Sequence, residues 1–348
     1  MSLYNDAKQI MTEALHAALP DTAVQKALKG LDLSGKNKVK LVAVGKAAWQ
    51  MAQAAQQALG SRIDGGVVIT KHGHGMGDIP GLTVFEAGHP VPDDDTVTAT
   101  NAALEETTGL KAQDAVLLLV SGGGSALFEA PKVPLVELQD ITQQLLAAGC
   151  DIVEINTVRK RLSHVKGGRF ALHCAPAQVY AVILSDIIGD PLDMIASGPA
   201  YPDTSTTADA LRIVERYNLK LSPQAITALQ EETPKELSNV TTMVTGSVTQ
   251  LCLSAAETAK ALGYTPHILT ASLRCQAREA GSFLASIAEY HQDTDASLAY
   301  ILGGETVVHL KGKGKGGRNQ EIALSAVPTL AACRDTCIFS LGSDGTDG

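Results

Sequence analysis

The sequence is poor in aromatic residues, and its N-terminal segment has neither a targeting signal nor a membrane span. Phe, Tyr and Trp together make up 4% of the 348 residues, and Trp49 is the sole tryptophan. Segment 1–19 carries charged residues within an amphipathic pattern, which fits neither a signal peptide nor a transmembrane helix. Ala, Leu, Val and Gly must therefore fill the core, as in many α/β enzymes. We expect a cytoplasmic protein without a membrane partner.

The chain also lacks metal-type cysteine pairs and an excess of positive charge. Its 6 cysteines include no CxxC, and the one close pair, Cys333 and Cys337, has no histidine at zinc-site spacing. The net charge of −9 argues against a basic surface for nucleic acid. We therefore expect single thiols in a reducing compartment and no nucleic-acid partner. An anionic ligand would need a local cluster of Lys and Arg.

Two common nucleotide-binding signatures are absent or weak. No GxxxxGK[ST] occurs, which excludes a P-loop. Residues 312–317 formally match GxGxxG, but lysines fill the variable positions, and no acidic ribose-binding residue follows a second strand about twenty residues later. We interpret Lys313 and Lys315, together with Arg318, as a phosphate clamp instead.

What the sequence does contain is a regular alternation of strands and helices. Short apolar runs predict strands at 38–44, 66–70, 82–87, 117–120, 179–184, 240–245, 267–270, 299–302, 306–310 and 337–341. Helical patterns separate most of them, which predicts an α/β fold with parallel sheets covered on both faces. Ligands bind such sheets at the carboxyl ends of the strands. The least compact stretch, 219–239, suggests two domains, 1–235 and 236–348.

The stretch 117–127 combines a buried-strand pattern with a glycine-rich turn. The apolar run suits a strand buried on both faces of a parallel sheet. The glycines let a ligand approach the backbone, and the free N–H groups of the next helix, which Ser125 is expected to cap, favour an anion. We interpret the turn as a cradle for phosphate or carboxylate; the alternative is a tight turn whose glycines serve packing. Its residues are Ser121, Gly122, Gly123, Gly124 and Ser125.

Basic residues supply candidate partners for an anion. Lys46 follows a predicted strand, at the start of a helix. It either faces the same cleft as the 121–125 turn or is a solvated lysine. A second basic cluster comprises Asn156, Arg159, Lys160, Arg161, His164, Lys166 and Arg169. Asn156, Arg159 and Lys160 share one helical face, and a guanidinium can hold carboxylate or phosphate with two hydrogen bonds. The alternative for this cluster is a solvated basic face.

Three carboxylates, Asp186, Asp190 and Asp193, follow the predicted strand 179–184. One of them could hold Mg²⁺ or act as a general base; alternatively, they stabilise turns in a proline-rich connection. His89 is a candidate neighbour of the site. The final residues, 343–348, are typical of an active-site loop, and we expect further chain to follow them.

Short segments distributed along the chain form an ordered set of motifs. They are Gly-Lys-Ala-Ala at 45–48, Gly-His-Pro-Val-Pro at 88–92, Val-Ser-Gly-Gly-Gly-Ser-Ala-Leu at 120–127, Asn-Thr-Val-Arg-Lys at 156–160, Ser-Asp at 185–186, Gly-Asp-Pro at 189–191, Ser-Gly-Pro at 197–199, Gly-Gly-Glu-Thr at 303–306, Gly-Gly-Arg-Asn-Gln-Glu at 316–321 and Ser-Asp-Gly-Thr-Asp-Gly at 343–348. From about residue 5 to its end, the chain resembles the class II glycerate 2-kinases. Members of this family are often labelled hydroxypyruvate reductases.

The resemblance implies a larger N-terminal Rossmann-like domain and a smaller C-terminal α/β domain, with the active site in the cleft between them. It also implies ATP- and Mg²⁺-dependent phosphorylation of D-glycerate to 2-phosphoglycerate. The implied catalytic residues are Lys46, Arg318 and an Asp of the 186–190 loop. Asp190 matches the family's Gly-Asp-Pro best, while Asp186 stays open.

With that family as a guide, each motif receives an expected role. ATP would be bound by the 121–125 cradle together with Gly303, Gly304, Glu305, Lys313 and Lys315. Glycerate would be bound by Asn156, Arg159, Lys160, His89 and Asp344, and the metal by Asp186, Asp190 and Asp193. Two alternatives stay open: an NAD(P)H-dependent hydroxypyruvate reductase, and a non-catalytic nucleotide or sugar-acid binding protein. The expected partners are glycerate and nucleotide, with a homodimer left open as the assembly.

Overall fold

The computed structural model describes residues 2–184, 192–309, 312, 314–342 and 347. Two compact units make up the chain: a larger unit, Pro20–Thr245, and a smaller unit, Met1–Leu19 with Gly246–Gly348. The predicted division between residues 235 and 236 differs from this, because a strand that follows it is hydrogen-bonded into the larger unit's sheet. Among the helices of the described residues, none combines the length and the hydrophobicity that a membrane span requires.

The larger unit is built on a six-stranded parallel sheet. Its strands are β1 (Val39–Val44), β2 (Gly66–Lys71), β3 (Thr83–Ala87), β4 (Ala115–Val120), β5 (Gln178–Leu184) and β6 (Val240–Thr245). Their order is β3-β2-β1-β4-β5-β6, and every neighbouring pair is parallel. This confirms the predicted α/β sheet and is the strand order of Rossmann-type folds. In such sheets ligands bind where the order reverses, which here is between β1 and β4.

Strand β4 lies at the centre of the sheet and is buried on both faces, as predicted. All six of its residues are buried, and it pairs with β1 on one side and β5 on the other. Because side chains alternate along a strand, Val116, Leu118 and Val120 join one apolar core while Leu117 and Leu119 join the other. The turn that follows Val120 is therefore anchored by a strand that has no contact with water.

Helices cover both faces of the sheet. α2 (Pro20–Lys29) and α3 (Ala48–Leu59) pack on one face, and α4 (Asp94–Glu106) and α8 (Arg169–Cys174) pack on the other. The short α5 (Gly124–Leu127) follows β4. A separate apolar cluster is formed by α6 (Leu135–Ala147), α7 (Ile152–Arg161), α9 (Thr207–Arg216) and α10 (Pro223–Leu229). Helix α7 also carries Arg159, which donates a hydrogen bond to the Ser125 carbonyl oxygen.

The smaller unit contains a parallel pair of strands, β7 (Thr265–Leu273) and β8 (Leu298–Gly304). Its helices are α1 (Leu3–Ala18), α11 (Val248–Ala261), α12 (Ala277–Tyr290) and α13 (Arg318–Leu330). α1 packs on α11, and α12 packs on α13. A Cβ at Gly281 of α12 would overlap the Ile322 carbonyl of α13, so glycine permits the close approach of these helices.

Two strands predicted for the smaller unit do not form in the described part of the chain. In 306–309, Val307 makes a single bridge with Gln276, and 337–341 is irregular. Both segments carry the apolar composition of a strand, but a strand also needs a hydrogen-bonded neighbour, and no described segment supplies one. Composition alone therefore predicted these two elements wrongly.

Candidate active site

The turn after β1 and the turn after β4 are joined by hydrogen bonds. The backbone N–H of Lys46 donates to the Gly122 carbonyl oxygen at 2.8 Å, and that of Ala47 donates to Ser121 Oγ at 3.1 Å. Gly45 has a φ of 122°, and a side chain there would overlap Ser121. Both conformation and space therefore require glycine at this position. As a result, the amides of Lys46 and Ala47, which lead into α3, are already occupied by the neighbouring turn.

The segment 121–125, which we call the cradle, keeps amides that nothing occupies. The N–H groups of Gly122, Gly123 and Ser125 have no acceptor among the described residues. Lys46 is exposed beside them, and its ammonium has no ion-pair partner within the described part of the chain. Free amides next to an unpaired cation form an anion-binding arrangement.

His89, which follows β3, lies against the cradle. A Cβ built at Gly123 would be 3.1 Å from the His89 ring and 3.2 Å from Lys46 Cγ. Burial lowers the pKa of His89, and the positive charges of Lys46 and Lys71 lower it further. The imidazole is therefore neutral at pH 7 and can donate one hydrogen bond and accept another. The structure thus brings together Lys46, His89 and the cradle, all of which are proposed site residues.

The prediction that Ser125 caps the following helix was wrong. Gly123, at a φ of 86°, is the N-cap of α5, and no side chain caps this helix. The Ser125 hydroxyl instead lies 3.1 Å from Ser197 Oγ, which donates to Asn156 Oδ1 at 2.8 Å. Ser197 is fully buried at a φ of 59°, an unusual conformation for a residue with a side chain. Hydrogen bonds through Ser197 therefore link the predicted site residues Asn156 and Ser125, and no sequence pattern marked Ser197 for a role in the site.

The basic residues of α7 are buried and engaged within the larger unit. Arg159 donates to the Ser125 carbonyl oxygen at 2.9 Å. Lys160 is 3% exposed, and its Nζ lies 3.2 Å from Asp203 and 3.4 Å from Asp193. These contacts exclude the alternative of a solvated basic face. Their binding of glycerate stays a prediction, because both side chains already have partners.

Two further charged residues lie beneath the cradle. Lys166 is fully buried, and its Nζ donates to the carbonyl oxygens of Ser125 and Phe128, each at 2.8 Å. Glu129 is also fully buried, 3.4 Å from Lys166. Lys166 belongs to the basic cluster in the sequence, whereas no local pattern marks Glu129.

Four of the proposed site residues, Asp186, Asp190, Lys313 and Asp344, lie outside the described residues. Asp193 is described, and its side chain is 32% exposed. One of its carboxylate oxygens, Oδ2, is the atom near Lys160. The other has no partner among the described residues. Asp193 therefore still offers one oxygen to a metal ion.

Residues of the smaller unit's motifs contact one another: Arg318 and Glu305 are proposed site residues, and Asp347 lies in the 343–348 motif. Arg318 pairs with Glu305. Asp347 accepts hydrogen bonds from the backbone N–H groups of Asn319 and Gln320, each at 2.9 Å, and so caps α13 from a distant point in the sequence. Burial alone would raise the pKa of Asp347, but these hydrogen bonds hold it below its usual range.

Glycines in the smaller unit serve packing. A Cβ at Gly317 would overlap the Asp347 carboxylate, and one at Gly304 would overlap the backbone of Leu273. A Cβ at Gly303 would likewise overlap the Cys252 sulfur. Lys315 is exposed and has no ion-pair partner in the described part of the chain. The nucleotide roles of Gly303, Gly304, Glu305 and Lys315 stay predictions.

Comparisons with known proteins agree with this arrangement. Residues 6–230 match a domain of unknown function, DUF4147, and residues 298–348 match the MOFRL family. A D-glycerate 2-kinase from Thermotoga maritima is 50% identical over 100% of this chain and 84% of its own length. A putative hydroxypyruvate reductase from Agrobacterium vitis is 36% identical over 98% of this chain and 80% of its own. A crystal structure of glycerate kinase from Thermotoga maritima, 49% identical, superposes with a TM-score of 0.92 over 99% of this chain and 84% of that one. The chain therefore belongs to the glycerate 2-kinase family.

Proposed function

We propose that this protein is an ATP-dependent kinase that phosphorylates D-glycerate to 2-phosphoglycerate. The observation that carries the proposal is the contrast between two turns at the carboxyl edge of the sheet. The amides of Lys46 and Ala47 in the turn after β1 are occupied, whereas the cradle after β4 keeps three amides without an acceptor among the described residues, beside Lys46. This arrangement suits the phosphates of a nucleotide, because phosphoryl transfer depends on positioning and positive charge.

The same contrast argues against a nicotinamide-dependent reductase. In a Rossmann-type dehydrogenase the pyrophosphate lies on the glycine-rich turn after the first strand and on the amides that open the next helix. Here the amides of Lys46 and Ala47, which lie in the turn just before that helix, donate to the neighbouring turn. The turn also reads Gly-Lys-Ala-Ala and lacks the second and third glycines of the fingerprint. The turn after β1 therefore lacks the sequence fingerprint of a dinucleotide site.

In the proposed reaction the 2-hydroxyl oxygen of glycerate forms a bond to the γ-phosphorus of ATP. The bond between that phosphorus and the β,γ-bridging oxygen breaks, and ADP leaves with the electron pair. The hydroxyl proton passes to a base, a role we propose for an Asp of the 186–190 loop. Lys46 and the cradle amides would hold phosphate oxygens, and Arg318 would neutralise charge on the transferred group.

We also propose that Mg²⁺ takes part. Among the described residues Asp193 fits this role, because a carboxylate oxygen is the ligand that Mg²⁺ prefers and one of its oxygens is free. Asp186 and Asp190 are the other proposed ligands. When bound, the ion would neutralise negative charge on the phosphates. A cytoplasmic location and a homodimer are further proposals, which fractionation and gel filtration would test.

A coupled assay tests the proposed function. ADP formation that depends on glycerate, without NAD(P)H oxidation on hydroxypyruvate, is the expected result. Phosphorus NMR of the product should show the phosphate on the oxygen of C2. NAD(P)H oxidation without ADP formation would establish the reductase instead. Binding of ATP and glycerate without turnover would indicate a non-catalytic binding protein.

A further inference from the structure

The cradle lies above a buried cation, Lys166, and a half-buried one, Arg159, and Lys166 has no role in the function proposed so far. Lys166 Nζ donates to the Ser125 carbonyl oxygen at 2.8 Å, and Arg159 donates to the same oxygen at 2.9 Å. Lys166 also donates to the carbonyl oxygen of Phe128, the C-cap residue of α5. Two cationic donors on one carbonyl fix the orientation of its peptide group, because charged hydrogen bonds are stronger than neutral ones.

A single carboxylate faces these cations. Both oxygens of Glu129 lack a hydrogen bond in the described part of the chain, and Oε2 lies 3.4 Å from Lys166 and 3.8 Å from Arg159. When all three groups are ionised, they leave one net positive charge beneath the cradle. Water and salt screen a buried charge much less than a surface charge. An anion held by the cradle amides would therefore be attracted by this charge.

We infer that Lys166 is a positioning residue of the nucleotide site: it anchors the Ser125 carbonyl at the end of the cradle and supplies the positive charge beneath the cradle on which nucleotide affinity depends. This inference rests on the proposed function, since it takes the phosphates to lie in the cradle. It adds a residue that acts through the Ser125 peptide without touching the nucleotide.

The ionisation of Lys166 makes the inference measurable. Burial lowers the pKa of Lys166, Glu129 raises it and Arg159 lowers it, with a resulting value of about 8. Lys166 is therefore charged at pH 7 and loses its proton as the pH rises through about 8. The phosphates of ADP do not change charge in that range, because their last pKa lies near 6. Nucleotide affinity should consequently fall above pH 8.

The test is the affinity for ADP, measured by calorimetry between pH 7 and 9.5. For the wild type we expect about a tenfold loss across pH 8, the size of one unit charge acting at a protein-like dielectric constant. Lys166→Met should bind ADP weakly at every pH, and Lys166→Arg should bind it tightly at every pH. Glu129→Gln should move the inflection to lower pH, because the carboxylate that raises the Lys166 pKa is gone.

Arg161→Met is the matched control. Arg161 is an equally buried cation on α7, but it contacts Ser205 and Glu232 and makes no contact with the cradle. This variant should lose stability and keep the wild-type pH dependence of ADP binding. If Lys166→Met does not fold, the wild-type titration and Glu129→Gln still decide the matter.

Three results would overturn the inference: equal ADP affinity in Lys166→Met and wild type, no inflection in the wild type, or an unshifted inflection in Glu129→Gln. Glycerate-dependent turnover of the wild type is measured on the same preparation. Turnover without an inflection overturns this inference alone. Absence of turnover overturns the proposed function, whatever the ADP titration shows.

Discussion

Two glycine-rich turns of this chain are similar in sequence and opposite in structure. In the larger unit, the cradle leaves the amides of Gly122, Gly123 and Ser125 without acceptors among the described residues. In the smaller unit, the amides that open α13 donate to the Asp347 carboxylate. Glycines at a helix start therefore favour an anion in both places, but in one of them the chain supplies the anion itself. We call the cradle the open turn and the turn before α13 the closed turn. The closed turn is occupied because Asp347, a residue distant in sequence, supplies its acceptor.

The cations near the two turns differ as well. Arg159, beneath the cradle, is 12% exposed and bonded to the backbone, whereas Arg318 is 46% exposed and paired with the exposed Glu305. An exposed ion pair contributes little to stability and is easily exchanged for another partner. The larger unit thus holds a preformed anion-binding arrangement, whereas the role proposed for Arg318 requires its pair with Glu305 to break.

The largest expected effect is that of Lys46→Ala. If Lys46 neutralises charge that develops during transfer, kcat should fall by about 100-fold or more, as when an electrostatic donor is removed from an active site. Stability should not change, because the side chain is exposed and unpaired in the described part of the chain. Steady-state kinetics and thermal unfolding measure the two quantities. Lys111→Ala, an exposed lysine just before β4, is the control; full activity of Lys46→Ala would contradict the assignment.

A smaller effect is expected when the open turn is blocked. Gly123→Ala would place a methyl group 3.1 Å from His89 at a φ of 86°. We expect about a tenfold loss of ADP affinity and a loss of roughly 1–2 kcal/mol of stability from left-handed strain. Gly317→Ala is the matched change at the closed turn. It should disturb the Asp347 cap and leave ADP affinity unchanged, and a loss of ADP affinity there would erase the contrast between the turns.

The smallest effect concerns the cap itself. Asp347→Ala should cost about 1 kcal/mol of unfolding free energy, the usual value for a lost N-cap. Hydrogen bonds keep the pKa of Asp347 below its ordinary value of 3.8, so the cap stabilises the fold above that pH and its contribution is lost as the pH falls through the lowered pKa. Chemical denaturation at pH 7 and pH 3 measures the difference. A difference between variant and wild type that grows at low pH would refute the capping role.

Local sequence pattern predicted the sheet of the larger unit because each of its strands is a short apolar run bounded by turn residues. It also placed Lys46 as a candidate for the cleft of the cradle and His89 as a candidate neighbour, and the structure brings both against the cradle because all three follow strands whose carboxyl ends share one edge. It could not predict that Asp347 caps α13 or that Glu129 faces Lys166. Those contacts join residues far apart in sequence, and no periodicity marks them. The strand predicted at 337–341 failed for the same reason, because pairing depends on a distant neighbour.

The measurement that tests the central claim most directly is the response of backbone amides to ADP. In spectra of the protein labelled with ¹⁵N, addition of ADP should shift the amide signals of Gly122, Gly123 and Ser125. The amides of Asn319 and Gln320, already bonded to Asp347, should stay in place. Shifts at Asn319 and Gln320 with none in the cradle would contradict the account, because the closed turn would then be the one that takes the phosphate.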